Sequence, residues 1–600
     1  MNKKKSGFHL PRTRFGRTIL SLVITALVGF VYFYVSLPAL NPHSGDFYSF
    51  LGLLCVVYLL AIFMLSGRPH EANEDPDVEV IHAPGERIRD WLHFIKTRCM
   101  PVGVLFVLVL VVAGVGQLLS MPIFRASAYR DLLTVEKSDF AQDVAQISFS
   151  EIPTLDRQSA EYLGDRQMGT LSDMVSQFEY SNDSTQINYQ GRPVRVAPIG
   201  YADLFKWLTN RGEGLPAYVV VDMVTQEATV TRLPEGMKYS FSEPLNRNIA
   251  RHLRFNFPTM MFATPEFEVD ESGHPYWVAP RVVKTIGLFG GTDIQGAVLV
   301  DAVTGECVYY ETVPSWVDNV YDPILIMQQY DYHGTLVNGF INSVLGQRDV
   351  TKTTQGYNYI AINDDVYAYT GVTSANADQS NLGFLLCNMR TKETNFYEAP
   401  GATEYAAMQS AMGVVQDLGY TATFPLLLNI AGEPTYFIPL KDKTELVKSY
   451  AMVNVAQYQI VVTGDSVSSC EQKYIKTLAD KGISSQEDLP QTEIEGMVAE
   501  IRTAVLEGNT YYFLRLEGQD VFYSISAVQD RNVVTVNVGD KVAIEHAIPA
   551  EGETVSILDA YSFRLVSHAN GAPAPDAPDP VVTAPEEPAP EVEPAPAEAA

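Results

Sequence analysis

Three long apolar runs open the chain, at residues 18–40, 47–65 and 102–124. Each is close to the ~20 residues that an α-helix needs to cross a bilayer. They predict a membrane domain over residues 18–124 with three transmembrane helices, preceded by a short tail at residues 1–17. The first run is longer than the apolar core of a signal peptide, and no small-residue cleavage site follows it, so we expect an uncleaved anchor.

The basic residues around these runs predict their orientation. Lys and Arg number six in residues 1–17, none in 41–46 and five in the loop 67–100. Because short cytoplasmic segments carry the excess of positive charge, the N-terminus and this loop are expected inside the cell and the rest of the chain outside. Residues 87–98 of the loop form an amphipathic pattern, which fits either a partner site or a helix on the inner membrane surface.

After residue 135 the pattern changes to short alternating runs that repeat. The first recurring element reads Asx-x-x-Gly-x-Pro and is followed by an apolar, extended run that ends at another proline. Asx and Gly suit a tight turn, so each copy predicts a β-hairpin tip, and the second proline is expected to end the outgoing strand. The copies are Asn188–Pro198, Asp270–Pro280 and Asn429–Pro439, with a weaker one at Asn363–Tyr369.

A second hairpin follows each first one, with the skeleton Asx-x-x-Thr-x-Glu at Asp222, Asp301 and Asn388 and a degenerate tip near Asn454. Together with a helical pattern before each pair, this predicts four tandem modules of one helix on a small antiparallel sheet. One such module has little core, so we expect the modules to pack as a continuous elongated array. Their predicted bounds are 135–240, 241–315, 316–400 and 401–465, and the helical patterns are 162–178, 245–254, 317–346 and 403–419.

The last part of the chain divides into three segments. Residues 466–490 predict a polar helical linker. Residues 491–566 contain five short alternating strands with Gly turns, which are typical of a small closed β-barrel. Residues 567–600 are mainly Ala, Pro and Glu, with a few Asp, Val and Thr, and predict a disordered tail. The predicted fold is therefore a membrane-anchored α+β protein with tandem modules and a terminal barrel.

Composition limits the function. The formal net charge of −29 argues against nucleic-acid binding, which needs Lys and Arg to neutralise phosphates. The five cysteines show neither CxxC nor zinc spacing, which favours buried or free thiols. Cys307 and Cys387 occupy matching second hairpins, so a bridge between them stays an open alternative.

The sequence lacks the common motifs of catalysis and of phosphate or metal binding. The Gly-rich stretch 287–291 has no lysine of a phosphate loop, and Asp364 and Asp365 are not part of a full calcium loop. We therefore predict a protein that is not an enzyme and that needs no cofactor or metal. No catalytic or binding residue is nominated, and the ligand is left unknown.

Two resemblances add expectations. The hairpin with Val300, Asp301, Thr304, Gly305 and Glu306 resembles those of PepSY-type domains, although Gln226 and Lys392 replace the glycine in the other copies. This resemblance implies a cystatin-like, extracytoplasmic fold and a role in binding and restraining peptidases. Residues 494–563 resemble an OB-fold through Gly496 and the run 538–542. With few cations beside its aromatic residues, this barrel is expected to face protein or glycan, or to be purely structural.

These expectations combine into a non-enzymatic integral protein of a bacterial plasma membrane. It presents an extracytoplasmic array for binding or scaffolding in the cell envelope. One alternative is a PepSY-like regulator or inhibitor of an extracytoplasmic peptidase, and a second is an envelope hydrolase with an unrecognised site. The expected partners are the lipid bilayer and envelope proteins, a peptidase among them, and no nucleic acid. The oligomeric state stays open.

Overall fold

The computed structural model describes residues 14–66, 89, 92–93, 95–140, 144, 152–362, 364–375, 380–483, 491–506, 509–527, 530–547 and 556–569. The chain divides into two compact units, Met1–Ser484 and Ser485–Ala600. The tip at Asn363, most of the loop 67–100 and nearly all of the tail 567–600 lie outside the described residues.

Three helices near the N-terminus are long and apolar enough to cross a membrane, as the sequence predicts. The third ends earlier than its apolar run, because the chain turns at Ser120 and a short helix starts at Pro122. A π-helical turn, Ile95–Cys99, precedes it. The helices are α1 (Arg14–Ser36), α2 (Gly45–Ser66), α3 (Met100–Leu119) and the short α4 (Pro122–Arg130).

Four mainly antiparallel sheets follow. Sheet I contains β2 (Phe178–Tyr180), β3 (Thr185–Tyr189), β4 (Arg192–Tyr201), β5 (Leu215–Asp222) and β6 (Ala228–Met237); sheet II contains β7 (Met261–Phe262), β8 (Glu266–Val269), β9 (Pro275–Ile286), β10 (Gly290–Asp301) and β11 (Cys307–Tyr310); sheet III contains β1 (Glu136–Ser138), β12 (Thr351–Thr353), β13 (Asn358–Ile362), β14 (Asp365–Ser374), β15 (Ser380–Asn388) and β16 (Thr394–Ala402); sheet IV contains β17 (Thr421–Ala422), β18 (Leu426–Ile430), β19 (Glu433–Lys441), β20 (Val447–Asn454) and β21 (Val461–Gly464).

The predicted hairpins are confirmed in all four sheets. The first hairpins are the pairs β3–β4, β8–β9, β13–β14 and β18–β19, and the second are β5–β6, β10–β11, β15–β16 and β20–β21. At the second tips of sheets I, II and III the Asx side chain accepts backbone N–H bonds two and three residues ahead, as Asp301 does from Val303 and Thr304. This Asx turn explains why Asp or Asn is needed there.

The prolines after the first tips do not end their strands, which corrects the prediction. Pro198, Pro280 and Pro439 lie inside β4, β9 and β19, where each long strand changes its partner from one short strand to another. Each proline carbonyl accepts an N–H from beside the gap, for example that of Ser181 at 3.2 Å from Pro198. The N–H and C=O of one residue in an antiparallel strand point to the same side. The N–H that proline lacks would therefore point into the gap between the two short strands, where it would have no acceptor.

The remaining helices fall partly where the sequence predicts them. A short helix between the hairpins of sheet I has no counterpart in the prediction. The linker interpretation of residues 466–490 is corrected, because the helix there buries Cys470, Tyr474 and Leu478 against sheet IV. These helices are α5 (Arg157–Gly169), α6 (Leu204–Asn210), α7 (Ile249–Asn256), α8 (Pro323–Thr335), α9 (Gly339–Ile341, continued by the π-turn Asn342–Gly346), α10 (Glu404–Val414, followed by the 3₁₀ turn Gln416–Leu418) and α11 (Val467–Asp480).

The sheets do not form a linear array, because sheet I contacts sheet IV as well as sheet II. Lys441 of sheet IV forms an ion pair with Asp156 before α5 (2.9 Å), and Gln226 of the second tip of sheet I donates to the Tyr450 hydroxyl of sheet IV (3.0 Å). Sheets I and II share a continuous hydrophobic core, and further contacts join II to III and III to IV. The contacts therefore close a ring, and the predicted elongated array is wrong.

Sheet II packs on the ends of the apolar helices. The β9–β10 tip, residues 287–291, contacts the end of α3, where the Ser120 hydroxyl accepts the N–H groups of Leu288 and Phe289 at 2.9 and 3.0 Å. Arg251 of α7 lies over the Tyr34 ring of α1 at 4.2 Å. The Gly-rich stretch 287–291 therefore serves as a packing contact between sheet II and the end of α3.

The second unit is a barrel of five strands that closes in the order β22-β23-β24-β26-β25. The β24–β26 pair is parallel and the others are antiparallel. Its core includes Val498, Leu514, Tyr523 and Ile544. The strands are β22 (Gln491–Leu506), β23 (Asn509–Leu516), β24 (Phe522–Ser526), β25 (Lys541–Ala547) and β26 (Ile557–Ser567), with a 3₁₀ turn at Arg531–Thr535.

Candidate functional site: a polar cavity between the sheets

A cavity of about 820 Å³ lies where the four sheets meet. Strands of sheets I, II and III contribute to its wall, as do the segment before β18 of sheet IV and the start of α8 at Asp322. This volume lies in the range of small-molecule sites. The wall includes Arg195 on β4, Glu266 on β8, Tyr357 and Tyr359 before and on β13, and Phe424 before β18.

Arg195 is a buried cation with no ion-pair partner among the described residues. It lies on β4, is 5% exposed, and donates from Nη1 to the carbonyl (3.1 Å) and hydroxyl (3.3 Å) oxygens of Ser184. Its Nε has no hydrogen-bond partner among the described residues. Glu161, whose charge acts on Arg195, pairs instead with Arg157 at 2.7 Å. Burial lowers the pKa of the guanidinium, which shows how poorly its charge is compensated.

The other ionic groups of the wall are occupied by protein partners. Asp156 pairs with Lys441, Glu161 pairs with Arg157, and Asp322 caps α8 by accepting the N–H of Ile324 at 2.7 Å. Arg195 therefore differs from its neighbours: the fold holds it in place through Ser184 but leaves its Nε without an acceptor among the described residues.

Glu266 and two tyrosines complete the polar wall. Glu266 accepts a hydrogen bond from Thr185 (3.0 Å), and burial raises the pKa of its carboxyl group. Burial also raises the pKa of Tyr359 well above its usual value, so this phenol stays a neutral donor. The rings of Tyr357 and Tyr359 meet edge to face with centroids 5.6 Å apart. The site thus offers neutral hydroxyl groups and aromatic surface beside Arg195, while the other arginine of its wall, Arg157, is paired with Glu161.

A second buried cluster lies behind this wall, where sheets I and II meet the segment before α8. Glu268 accepts the N–H groups of Asp318 (3.0 Å) and Asn319 (2.8 Å) and the side-chain amide of Asn319 (3.1 Å). Asp318 in turn accepts the N–H of Asn188 at 2.6 Å. Burial raises the pKa of Glu268 to about 7, and burial together with the charge of Glu268 raises the pKa of Asp318. We call these four residues the acid junction.

The geometry of the cavity favours binding of an anion. A carboxylate in the cavity would supply the guanidinium of Arg195 with the opposite charge that it lacks among the described residues. The nearby acids Glu161, Glu266 and Asp322 disfavour a group with two negative charges. The aromatic pair suits an apolar or ring-bearing remainder of the ligand.

The residues singled out in the sequence lie elsewhere. All five cysteines are free, so the Cys307–Cys387 bridge does not form. Asp365 forms a bidentate ion pair with Arg390, and Asp364 accepts from Asn188. Among the described residues there is no group of three or more His, Cys, Asp or Glu side chains arranged to hold a metal ion. The sequence nominated none of the cavity residues, because their proximity arises only from packing between sheets.

No protein-family profile matches this chain, and no curated protein matches it significantly. The site must therefore be interpreted from its own geometry.

Proposed function

We propose that this is a bacterial plasma-membrane protein that binds a small carboxylate in the cavity between its four sheets. Three spanning helices anchor it with the N-terminus in the cytoplasm and the β-rich units outside the cell. The observation that carries the binding function is Arg195, a buried guanidinium with an unpaired Nε in a cavity large enough for a ligand. An uncompensated buried charge is costly, so its retention indicates that a ligand supplies the missing partner.

The anchoring proposal is supported by three apolar helices and by the distribution of Lys and Arg around them. The barrel is proposed to be OB-like, and its closed order of five strands supports this. We propose binding and presentation in the envelope rather than catalysis, because the wall groups are held by structural partners instead of being arranged as a nucleophile with its base.

Retention of small molecules tests the binding function. The full chain in lipid nanodiscs is dialysed against a small-molecule extract of bacterial envelopes, and the retained compounds are identified by mass spectrometry. We expect carboxylates to be retained by the unaltered protein and lost from Arg195→Met. Arg192→Met is the matched control, because Arg192 lies on the same strand but is exposed and paired with Asp222. Equal retention by all three proteins, or by none, would contradict the proposal.

Protease treatment of spheroplasts tests the orientation. External protease should digest the chain beyond α4 and leave a tag at the N-terminus intact. Protection of the β-rich units would rule out the proposed topology.

A further inference from the structure

Two short helical segments of the β-rich unit expose apolar side chains to solvent beside the membrane helices. The first is α6 in sheet I and the second is α9 with its π-turn, between α8 and β12. Large apolar side chains that share one face and stay uncovered usually mark an interaction surface. They are Leu204 (63% exposed), Phe205 (79%) and Leu208 (56%) in the first segment, and Ile341 (75%), Val344 (58%) and Leu345 (82%) in the second.

The second segment is joined to the end of α3. Phe340 packs with Ala126 of α4 in a small cluster that also holds Tyr129 and Leu336. Ala126 follows the last residue of the third span, Leu119, by only seven positions. Ile123 and Phe124 of α4 are also exposed, at 52% and 58%. The apolar surface therefore continues from α3 through α4 to α9.

The first segment is joined to the end of α1. The carbonyl of Arg211, which follows α6, accepts from Arg247 at 2.7 Å. The neighbouring Asn246 accepts from the hydroxyl of Tyr34, two residues before α1 ends, at 3.2 Å. Leu245 in the same turn is 51% exposed. The α6 surface thus lies only a few residues from the end of a span.

We propose that these two segments, 204–208 and 341–345, enter the outer leaflet of the bilayer and hold the β-rich unit against the membrane surface. The inference rests on the proposed anchoring but adds contacts outside the spans. Residues i, i+3 and i+4 of a helix share a face, which Ile341, Val344 and Leu345 satisfy, as do Leu204 and Leu208 together with Phe205. Exposed Arg348 close behind the second segment suits a headgroup layer, where a long basic side chain can reach phosphates.

Lipid photolabelling of the unaltered full chain tests this. The protein is reconstituted in nanodiscs of phosphatidylethanolamine and phosphatidylglycerol that contain a lipid with a photoreactive group on the upper acyl chain, and labelled peptides are mapped by mass spectrometry. Val414 and Leu418 serve as the internal control, because they are equally exposed (54% and 60%) on α10 and its 3₁₀ turn. We expect labelling of 204–208 and 341–345 at least ~3-fold above the control, as for an interfacial helix.

Each outcome has a distinct meaning. Labelled spans with both segments at the control level would overturn the inference and leave the anchoring intact. Spans without label would overturn the anchoring itself. Leu345→Asp should reduce labelling of its own segment, whereas Leu418→Asp should change nothing. Crosslinks from the two segments to proteins in native membranes, with no lipid label in nanodiscs, would assign the surface to a protein partner and overturn the lipid contact.

Discussion

The acid junction and the cavity wall are neighbouring buried clusters that differ in how their ionisable groups are hydrogen-bonded. At the junction, Glu268 is fully buried and each of its carboxyl oxygens accepts at least one backbone N–H. In the wall, Arg195 is almost as buried, yet its Nε has no partner among the described residues. Hydrogen bonds made to a buried group fix how elements meet, whereas a buried donor without an acceptor is costly to the fold. We therefore assign the first cluster to the fold and propose a binding role for the second.

Removing the carboxylate of the junction should have the largest effect. Glu268→Ala leaves two backbone N–H groups without acceptors in the interior and removes one of the two bonds of the Asn319 amide, which keeps the Gln186 carbonyl. We expect a loss of about 3 kcal/mol in unfolding free energy. Thermal unfolding of the full chain in detergent measures it. Glu266→Ala on the same strand should cost about 1 kcal/mol or less, because Glu266 accepts one hydroxyl bond beside the cavity. If both variants lost the same unfolding free energy, the acid junction and the cavity wall would not differ in their importance for stability.

Stability should also depend on pH through the junction. Glu268 has a folded-state pKa of about 7, raised by burial from an ordinary 4.5, so protonation favours the folded state. The stability that Glu268 contributes is complete below its ordinary pKa and is lost as the pH rises towards 7. The nearby charges of Asp318, Asp364, Asp365 and Glu266 also favour the protonated form of the junction. We expect the unfolding temperature to fall from pH 4.5 to 7.5, corresponding to about 2 kcal/mol.

The pH effect is assigned by comparing variants. Glu268→Gln should make the profile less steep by the share that the junction contributes. Burial also raises the pKa of Glu471 on α11, to about 8, so Glu471→Gln should remove a separate share and leave that of the junction unchanged. A profile of Glu268→Gln that parallels the unaltered protein would show that the acid junction does not titrate as described.

Removing the unsatisfied cation should stabilise the protein. Arg195→Met exchanges a poorly compensated buried charge for an apolar side chain, and we expect a gain of about 1–2 kcal/mol despite the lost bonds to Ser184. Arg192→Met removes only a largely exposed ion pair and should change stability by about 0.5 kcal/mol or less. Thermal unfolding without added ligand measures both. A destabilised Arg195→Met would mean that the arginine serves the fold.

The smallest effect is expected at a hairpin tip beside the junction. Gly273 has φ of +81°, and a Cβ there would lie 3.0 Å from the Tyr218 hydroxyl of sheet I. Gly273→Val should cost about 1 kcal/mol or slightly more from left-handed strain and this contact. Gly432→Val, with φ of +80° and open space around it, isolates the strain alone. Equal unfolding temperatures for the two variants would show that the contact between sheets I and II adds nothing.

The sequence predicts the features of this fold that depend on neighbouring residues well, and those that depend on contacts between sheets poorly. Hairpin tips follow from Asx and Gly within a few residues, so both hairpin series could be located. Strands of two or three residues, such as Met261–Phe262, carry too little pattern to detect. Arg192 and Arg195 are three positions apart on one strand, so their side chains lie on opposite faces of the sheet. Which of them is buried depends on packing by other elements, which the sequence does not show. The cavity therefore could not be predicted.

Closure of the ring between sheets I and IV has a consequence for synthesis. Asp156 and Lys441 are separated by 285 residues, and the pair can form only after the second has left the ribosome. At a translation rate of ~5–20 residues per second, roughly 15 to 60 s pass between the synthesis of Asp156 and that of Lys441. During this interval the side of sheet I that contacts sheet IV is exposed to solvent. Contacts of such long sequence separation are also slow to form. The cavity between the sheets can therefore form only late, when most of the chain has been synthesised. Until sheet IV has been synthesised, we expect the nascent chain to need protection from aggregation.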